Sequence, residues 1–189
     1  MLKPFYQGKL DTFCAIYAVL NALRLTHGIR TLKARDILNE TLMALAANPG
    51  ALRAVLTQET DYLQLVDGIL RAQARKFPLE VHAPWEDGAH PDENEFWTTC
   101  RAWLDGGGKR AAIFRFLRHM TPAGPALNRH WTVADRIKDS VLHLFDCSHD
   151  AEAILNVHRV EFATDPARIA TGRLLLIEPR TVRLVRLPF

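Results

Sequence analysis

The sequence predicts an α+β fold, with helices in its first half and an antiparallel sheet in its second. Apolar residues recur at helical spacing through most of residues 14–104, whereas β-branched runs separated by turns fill residues 110–187. Two such blocks favour an antiparallel sheet over alternating β-α-β units. The 189 residues suit a single domain, 1–189, with a helical lobe over about 1–108 and a sheet lobe over about 109–189.

The first helix is predicted to begin near Cys14 and to end at Gly28. Asp11 or Thr12 can cap its start, because short polar side chains accept hydrogen bonds from the free N–H groups there. Glycine favours the left-handed backbone that ends many helices. The apolar stripe of this helix consists of Ile16, Val19, Leu20 and Leu23.

Four further helices and one strand are predicted before the sheet lobe. An Asn-Pro-Gly break separates the first two helices, basic residues end the third, and acidic residues begin the last, as the helix dipole favours. A β-branched run followed by a polar loop indicates the strand. In chain order the helices cover residues 32–46, 51–56, 61–77 and 92–104, and the strand covers 79–83, between the last two helices.

Five strands are predicted after residue 109. Lys138-Asp139 is predicted to form a tight hairpin turn between the second and third strands, and Pro179-Arg180 to join the last two. The strands cover residues 110–117, 130–137, 140–147, 173–179 and 181–187.

The composition argues against several classes of protein. A net charge of +3 is too small to predict nucleic-acid binding. No stretch approaches the roughly 20 apolar residues of a membrane span, and the first residues lack the apolar run of a signal peptide. Three cysteines at irregular spacing indicate free thiols and favour the cytoplasm, with secretion without a cleaved signal left open.

Cys14 and His130 are the candidate nucleophile and general base. Cys14 lies in the first turn of its helix, where the dipole and the free backbone N–H groups favour a thiolate. His130 begins a strand and can reach the start of a helix packed beside the sheet. There it can take the thiol proton and return it to a leaving group. Trp131 either shields this pair from water or belongs to the core.

Asp146 and Gln7 are the candidate supporting residues. If the chain turns at Lys138-Asp139, Asp146 lies opposite His130, where its carboxylate can orient the imidazole. Gln7 precedes Cys14 and, with the Cys14 backbone N–H, can form an oxyanion hole.

Three other features favour structural roles, and we predict no metal or cofactor. The possible zinc ligands Cys100, His143, Cys147 and His149 lack the usual ligand spacing. Gly106-Gly107-Gly108 leads into a strand rather than out of one, so it is a flexible connector and not a phosphate-binding loop. Arg183 and Arg186 are explained as charges that protect an exposed sheet edge.

The order of these residues resembles that of a known family. The pattern resembles the papain-like cysteine peptidases and is most similar to compact bacterial forms such as the bacteriocin-processing, double-glycine peptidases. The Cys-Ala…Asn-x-Leu helix and the His-Trp pair also resemble Josephin-type deubiquitinases. The motif comprises, in chain order, Gln7, Cys14-Ala15, Tyr17-Ala18, Asn21-Ala22-Leu23, His130-Trp131 and Asp146.

This resemblance implies a papain-like fold, with Cys14 on a helical lobe, His130 and Asp146 on an antiparallel sheet, and the substrate cleft between them. The helices between residues 32 and 77 lie outside the resemblance, and we expect them to set substrate choice. The expected function is hydrolysis of a peptide or isopeptide bond in a protein or peptide substrate.

Several other functions stay open at this point. The same residues can serve an acyl transferase or a deamidase, because an acyl-enzyme does not fix the acceptor. The scaffold can also act as a non-catalytic protein-binding module. A nucleic-acid binder is the weakest alternative, since the composition supplies little excess positive charge.

Overall fold

Five α-helices and seven strands occur in the described part of the chain, which in this computed structural model comprises residues 2–8, 12–119, 121, 124–148, 154–171 and 173–188. The helices are α1 Cys14–His27, α2 Thr31–Ala46, α3 Pro49–Leu56, α4 Tyr62–Gln73 and α5 Glu93–Asp105. The strands are β1 Glu80–His82, β2 Arg110–His119, β3 Ala126–Lys138, β4 Val141–Leu144, β5 Asn156–His158, β6 Phe162–Ala163 and β7 Leu175–Arg186. The predicted α+β class is therefore confirmed.

Helix α1 begins at Cys14 and is ended by Gly28 as predicted, but its N-terminal cap is not the predicted one. Gly28 adopts the left-handed conformation with φ 68°, and its N–H donates to the Arg24 carbonyl. Phe13 occupies the N-cap position without a side-chain hydrogen bond. The Thr12 hydroxyl instead donates to the Val55 carbonyl at 3.3 Å, so the predicted Thr12 cap is wrong. Asp11, the other predicted cap, lies outside the described residues.

Side-chain caps set the starts of α3, α4 and α5. The Asn48 side chain accepts from the Ala51 N–H, so α3 begins at Pro49, two residues earlier than predicted. Asp61 caps α4 and Asp92 caps α5 in the same way.

A seven-stranded sheet follows the order β1-β7-β2-β3-β4-β5, with β6 paired to β7. All pairs are antiparallel except β6 with β7. Strands β3 and β4 meet at Lys138 and Val141, which confirms the predicted hairpin turn. Strand β1 lies within the range predicted as a helical lobe and pairs with β7.

The predicted turn at Pro179-Arg180 is wrong, because both residues lie within β7. The pairing of β7 with β2 changes register there, from Arg115 opposite Glu178 to Ile113 opposite Arg183. Proline has no N–H to donate to a ladder, and a bulge accommodates it without ending the strand.

Apolar layers cover both faces of the sheet. Helices α1, α2 and α4 pack on the face that carries Ile113, Trp131 and Val133, with Ala15, Ile16 and neighbouring side chains of α1 fully buried. Helix α5 packs on the opposite face, against Phe114. None of the helices in the described residues is both long enough and apolar enough to cross a membrane.

Candidate active site

His130 and Asp146 form a hydrogen-bonded pair at one end of the sheet. The His130 Nε2 donates to the Asp146 Oδ2 at 2.9 Å. The β3–β4 hairpin brings them together, and the Phe145 N–H, which donates to the Val133 carbonyl at 2.7 Å, extends the pairing past the end of β4. The His130 ring also packs edge-on against Phe116, which lies opposite it on β2.

Two further donors bind the Asp146 carboxylate. The Thr132 hydroxyl donates to Oδ2 at 2.6 Å, and the Ser148 N–H donates to Oδ1 at 2.8 Å. Asp146 is only 1% exposed, so these three hydrogen bonds replace the water that a carboxylate requires.

The pair is stabilised in its charged form. Burial by itself would lower the pKa of His130, but hydrogen bonds with Asp146, Cys14 and Cys147 and the charge of Asp146 raise it well above its ordinary value. Burial would raise the pKa of Asp146, but hydrogen bonds with His130, Thr132 and Ser148 and the charge of His130 lower it. The site therefore favours an imidazolium beside a carboxylate.

Cys14 is the accessible thiol of the site. It is the first residue of α1, is partly exposed, and interacts with the His130 imidazole. Helix α1 carries Cys14 to this point because its buried face packs on strands β2 and β3. Cys14 therefore lies in the first turn of the helix, at the positive end of the helix dipole.

Cys147 and Cys100 differ from Cys14 in their access to solvent. Each is 1% exposed. Burial raises the pKa of Cys147 to about 11, although contact with His130 opposes this, and burial raises the pKa of Cys100 to about 12. Both therefore stay protonated near neutral pH, and only Cys14 combines an accessible sulfur with a nearby base.

Gln7 lies at the site through its contacts with Cys147. The Gln7 N–H donates to the Cys147 carbonyl at 2.8 Å, and the Cys147 thiol donates to the Gln7 Oε1 at 3.6 Å. The buried Asn21 side chain holds the same N-terminal segment by accepting from the Phe5 N–H and donating to the Phe5 carbonyl. Residue Asn21 of the motif thus joins α1 to the segment that carries Gln7.

Helix α4 also approaches Cys14. The pKa of Tyr62 is raised mainly by burial and further by the neighbouring Cys14. The Tyr62 hydroxyl donates to the Val55 carbonyl at 2.9 Å, the same oxygen that accepts from Thr12. The helical region expected to set substrate choice therefore reaches the site.

Trp131 belongs to the core rather than to the site surface. It is 1% exposed and packs among side chains of α1 and the sheet. Its ring lies under the Arg115 guanidinium, 5.9 Å from the ring centroid, and Arg115 pairs with Glu178.

The predicted site residues Cys14, His130, Asp146 and Gln7 lie at one location. Sequence reasoning missed Thr132 and Ser148. Thr132 had a usable signal, because residues i and i+2 of a strand share a face and Thr132 follows His130 by two. Ser148 had none, since its contact depends on how the chain turns after β4.

No metal site is found at this location. In the parts of the chain that the structure describes, no group of three or more His, Cys, Asp or Glu side chains is arranged to hold an ion. His149, one of the zinc ligands considered above, lies outside those residues.

Comparisons with known proteins give no relative: no family model matches the chain, and no curated protein or solved structure matches it significantly.

Proposed function

We propose that the protein is a cysteine hydrolase of papain-like fold that cleaves a peptide or isopeptide bond through an acyl-enzyme. The observation that carries the proposal is the single imidazole of His130, which interacts with the accessible Cys14 thiol and is hydrogen-bonded through Nε2 to the buried Asp146. Nucleophile, base and orienting acid are the parts that such chemistry requires.

The two ring nitrogens of His130 have separate roles in this proposal. Nε2 is engaged by Asp146, which leaves Nδ1 to exchange a proton with Cys14. The proton given up by the Cys14 thiol is held on Nδ1 as part of the imidazolium. The sulfur forms a bond to the substrate carbonyl carbon, and the C=O π electrons move to the oxygen. Nδ1 then protonates the leaving amine, the C–N bond breaks, and water later releases the acyl group from the sulfur.

Oxyanion stabilisation is assigned to the Cys14 backbone N–H and the Gln7 amide. Support comes from the position of Gln7, whose carbonyl oxygen accepts from the Cys147 thiol. Because this hydrogen bond fixes Oε1, it also fixes the orientation of the amide nitrogen, Nε2, of Gln7. A donor held in place in this way can stabilise an oxyanion.

A peptide or protein is the proposed substrate, and the cytoplasm the proposed location. The location is supported by three free cysteines, which suit a reducing compartment.

The proposal is tested by labelling the protein with a peptide-like, thiol-directed probe and mapping the adducts by mass spectrometry. We expect Cys14 to react at least roughly 100-fold faster than in the His130→Ala variant, because the base generates the thiolate. Cys14→Ala should remove the adduct. A short cysteine-containing peptide in the same sample serves as the reference for ordinary thiol reactivity, because Cys100 and Cys147 are buried.

Slow labelling of Cys14 that does not depend on His130 would overturn the proposal. That result would favour a non-catalytic protein-binding module on the same scaffold. If labelling is fast, supplying an amine acceptor together with a peptide ester separates hydrolysis from acyl transfer.

A further inference from the structure

Thr132 occupies a buried position beside the acid of the site. It follows His130 by two residues on β3, so both side chains lie on one face of the sheet. Thr132 is 1% exposed, and its hydroxyl donates to the Asp146 Oδ2 at 2.6 Å. A hydrogen bond this short between a hydroxyl and a carboxylate is of the strong, charge-assisted kind.

The same oxygen accepts from two residues with different tasks. Asp146 Oδ2 receives the His130 Nε2–H and the Thr132 hydroxyl, while Oδ1 receives the Ser148 N–H. The Ser148 donor belongs to the backbone, and the His130 donor belongs to the ring that exchanges a proton with Cys14 at Nδ1. Thr132 is thus the side-chain donor to this carboxylate that is not part of the base itself.

Loss of this donor has a definite chemical consequence. A buried carboxylate with one hydrogen bond fewer is harder to ionise, and its Oδ2, then held by His130 alone, can rotate away from the imidazole. Either change weakens the hold on the His130 ring.

We propose that Thr132 is a positioning residue of the active site, whose hydroxyl keeps Asp146 ionised and aligned with His130. This inference rests on the proposed cysteine hydrolase function. Thr132 acts through Asp146 and does not touch the substrate.

The test compares Thr132→Val, which keeps the shape without the hydroxyl, with Thr132→Ser, which keeps the hydroxyl. The Asp146 carboxyl is titrated by carbon-13 NMR, and Cys14 alkylation by iodoacetamide is followed against pH. In Thr132→Val we expect the Asp146 pKa to rise by about one unit, as the loss of a hydrogen bond to a charged group predicts. The acidic limb of the alkylation profile should move to higher pH by the same amount.

Thr132→Ser should match the wild type in both measurements. The inference is overturned if Asp146 titrates alike in Thr132→Val and Thr132→Ser, even if the valine variant unfolds more easily. If Thr132→Val does not fold, Thr132→Ala takes its place with the same criteria.

The two proposals fail in different ways. The hydrolase proposal depends on His130-dependent labelling of Cys14 in the otherwise wild-type chain. The NMR titration reports on Thr132 and Asp146 whether or not Cys14 is reactive.

Discussion

Two ion pairs, Asp146 with His130 and Asp67 with Arg183, each have one buried partner but differ in the basic residue. Arg183 is 2% exposed. It donates two hydrogen bonds to Asp67, from Nε to Oδ1 at 2.7 Å and from Nη2 to Oδ2 at 2.8 Å. His130 makes a single hydrogen bond to Asp146. The Thr132 hydroxyl and the Ser148 backbone N–H make the other two hydrogen bonds to that carboxylate.

The basic partner decides whether each pair can take part in proton transfer or only stabilise the fold. A guanidinium keeps its proton at any pH that proteins experience, so Asp67–Arg183 can only hold α4 against β7. An imidazole can gain or lose a proton, and His130 also interacts with the accessible thiol of Cys14. Burial of a charged pair therefore does not mark a functional site unless one partner can exchange a proton.

The largest expected loss of stability follows from Arg183→Met. It leaves the Asp67 carboxylate unpaired in a largely buried position, and we expect the free energy of unfolding to fall by about 3 kcal/mol. Cys14 labelling should stay dependent on His130. Denaturant unfolding and the labelling assay measure the two effects.

Arg186→Met provides the matched control on the same strand. Arg186 pairs with Glu80, which is 43% exposed, so its loss should cost less than about 1 kcal/mol. Equal losses for the two variants would contradict a structural role for the buried Asp67–Arg183 pair.

Asp146→Asn is expected to cost less stability than Arg183→Met, about 2 kcal/mol near pH 6, because His130 can release its proton and become neutral. The pKa of Asp146 is lowered in the folded state, so its contribution is present above about pH 4 and is lost as the pH falls through the folded value. The pKa of His130 is raised, so its contribution is complete below about pH 6.5 and declines as the pH rises toward the folded value.

The stability difference between wild type and Asp146→Asn should therefore be largest between about pH 4 and 6.5. Urea unfolding at a series of pH values measures it. A difference that is constant from pH 3 to pH 8 would rule out the charged pair. Arg183→Met, measured alongside, should show no decline between pH 6.5 and 8, since arginine does not titrate there.

The sequence predicted one of these pairs and misread the other. His130 and Asp146 are joined by a hairpin whose turn at Lys138-Asp139 is visible locally, so their pairing follows from counting along two strands. Asp67 and Arg183 are 116 residues apart, and nothing local marks them as partners.

Arg183 and Arg186 were wrongly explained as charges that protect an exposed edge, because β7 is not an edge strand. Strand β7 lies between β1 and β2, and Arg183 shares the face of Ile113, which α1 and α4 cover. The error has the same origin as the false turn at Pro179, because a proline within a bulged strand looks like a strand end in sequence. Helix positions, by contrast, followed from local apolar spacing, even where the predicted cap, Thr12, was wrong.

Ser148→Ala should have the smallest effect. It tests whether Asp146 or the Ser148 hydroxyl is the main partner of His130 Nε2. The Ser148 hydroxyl lies 3.3 Å from the His130 Nε2, whose single proton is already directed at Asp146 at 2.9 Å. Its backbone N–H, which donates to Asp146, is unaffected by the substitution. We expect less than about 0.5 kcal/mol of destabilisation and less than a roughly threefold change in the Cys14 alkylation rate.

Alkylation kinetics beside Thr132→Val check this expectation. A tenfold or larger loss in Ser148→Ala would mean that the hydroxyl, rather than the Asp146 carboxylate, is the main partner of Nε2. Nε2 of His130 would then interact mainly with a neutral hydroxyl rather than with a charged carboxylate. His130 and Asp146 would then not form an ion pair comparable with Asp67–Arg183.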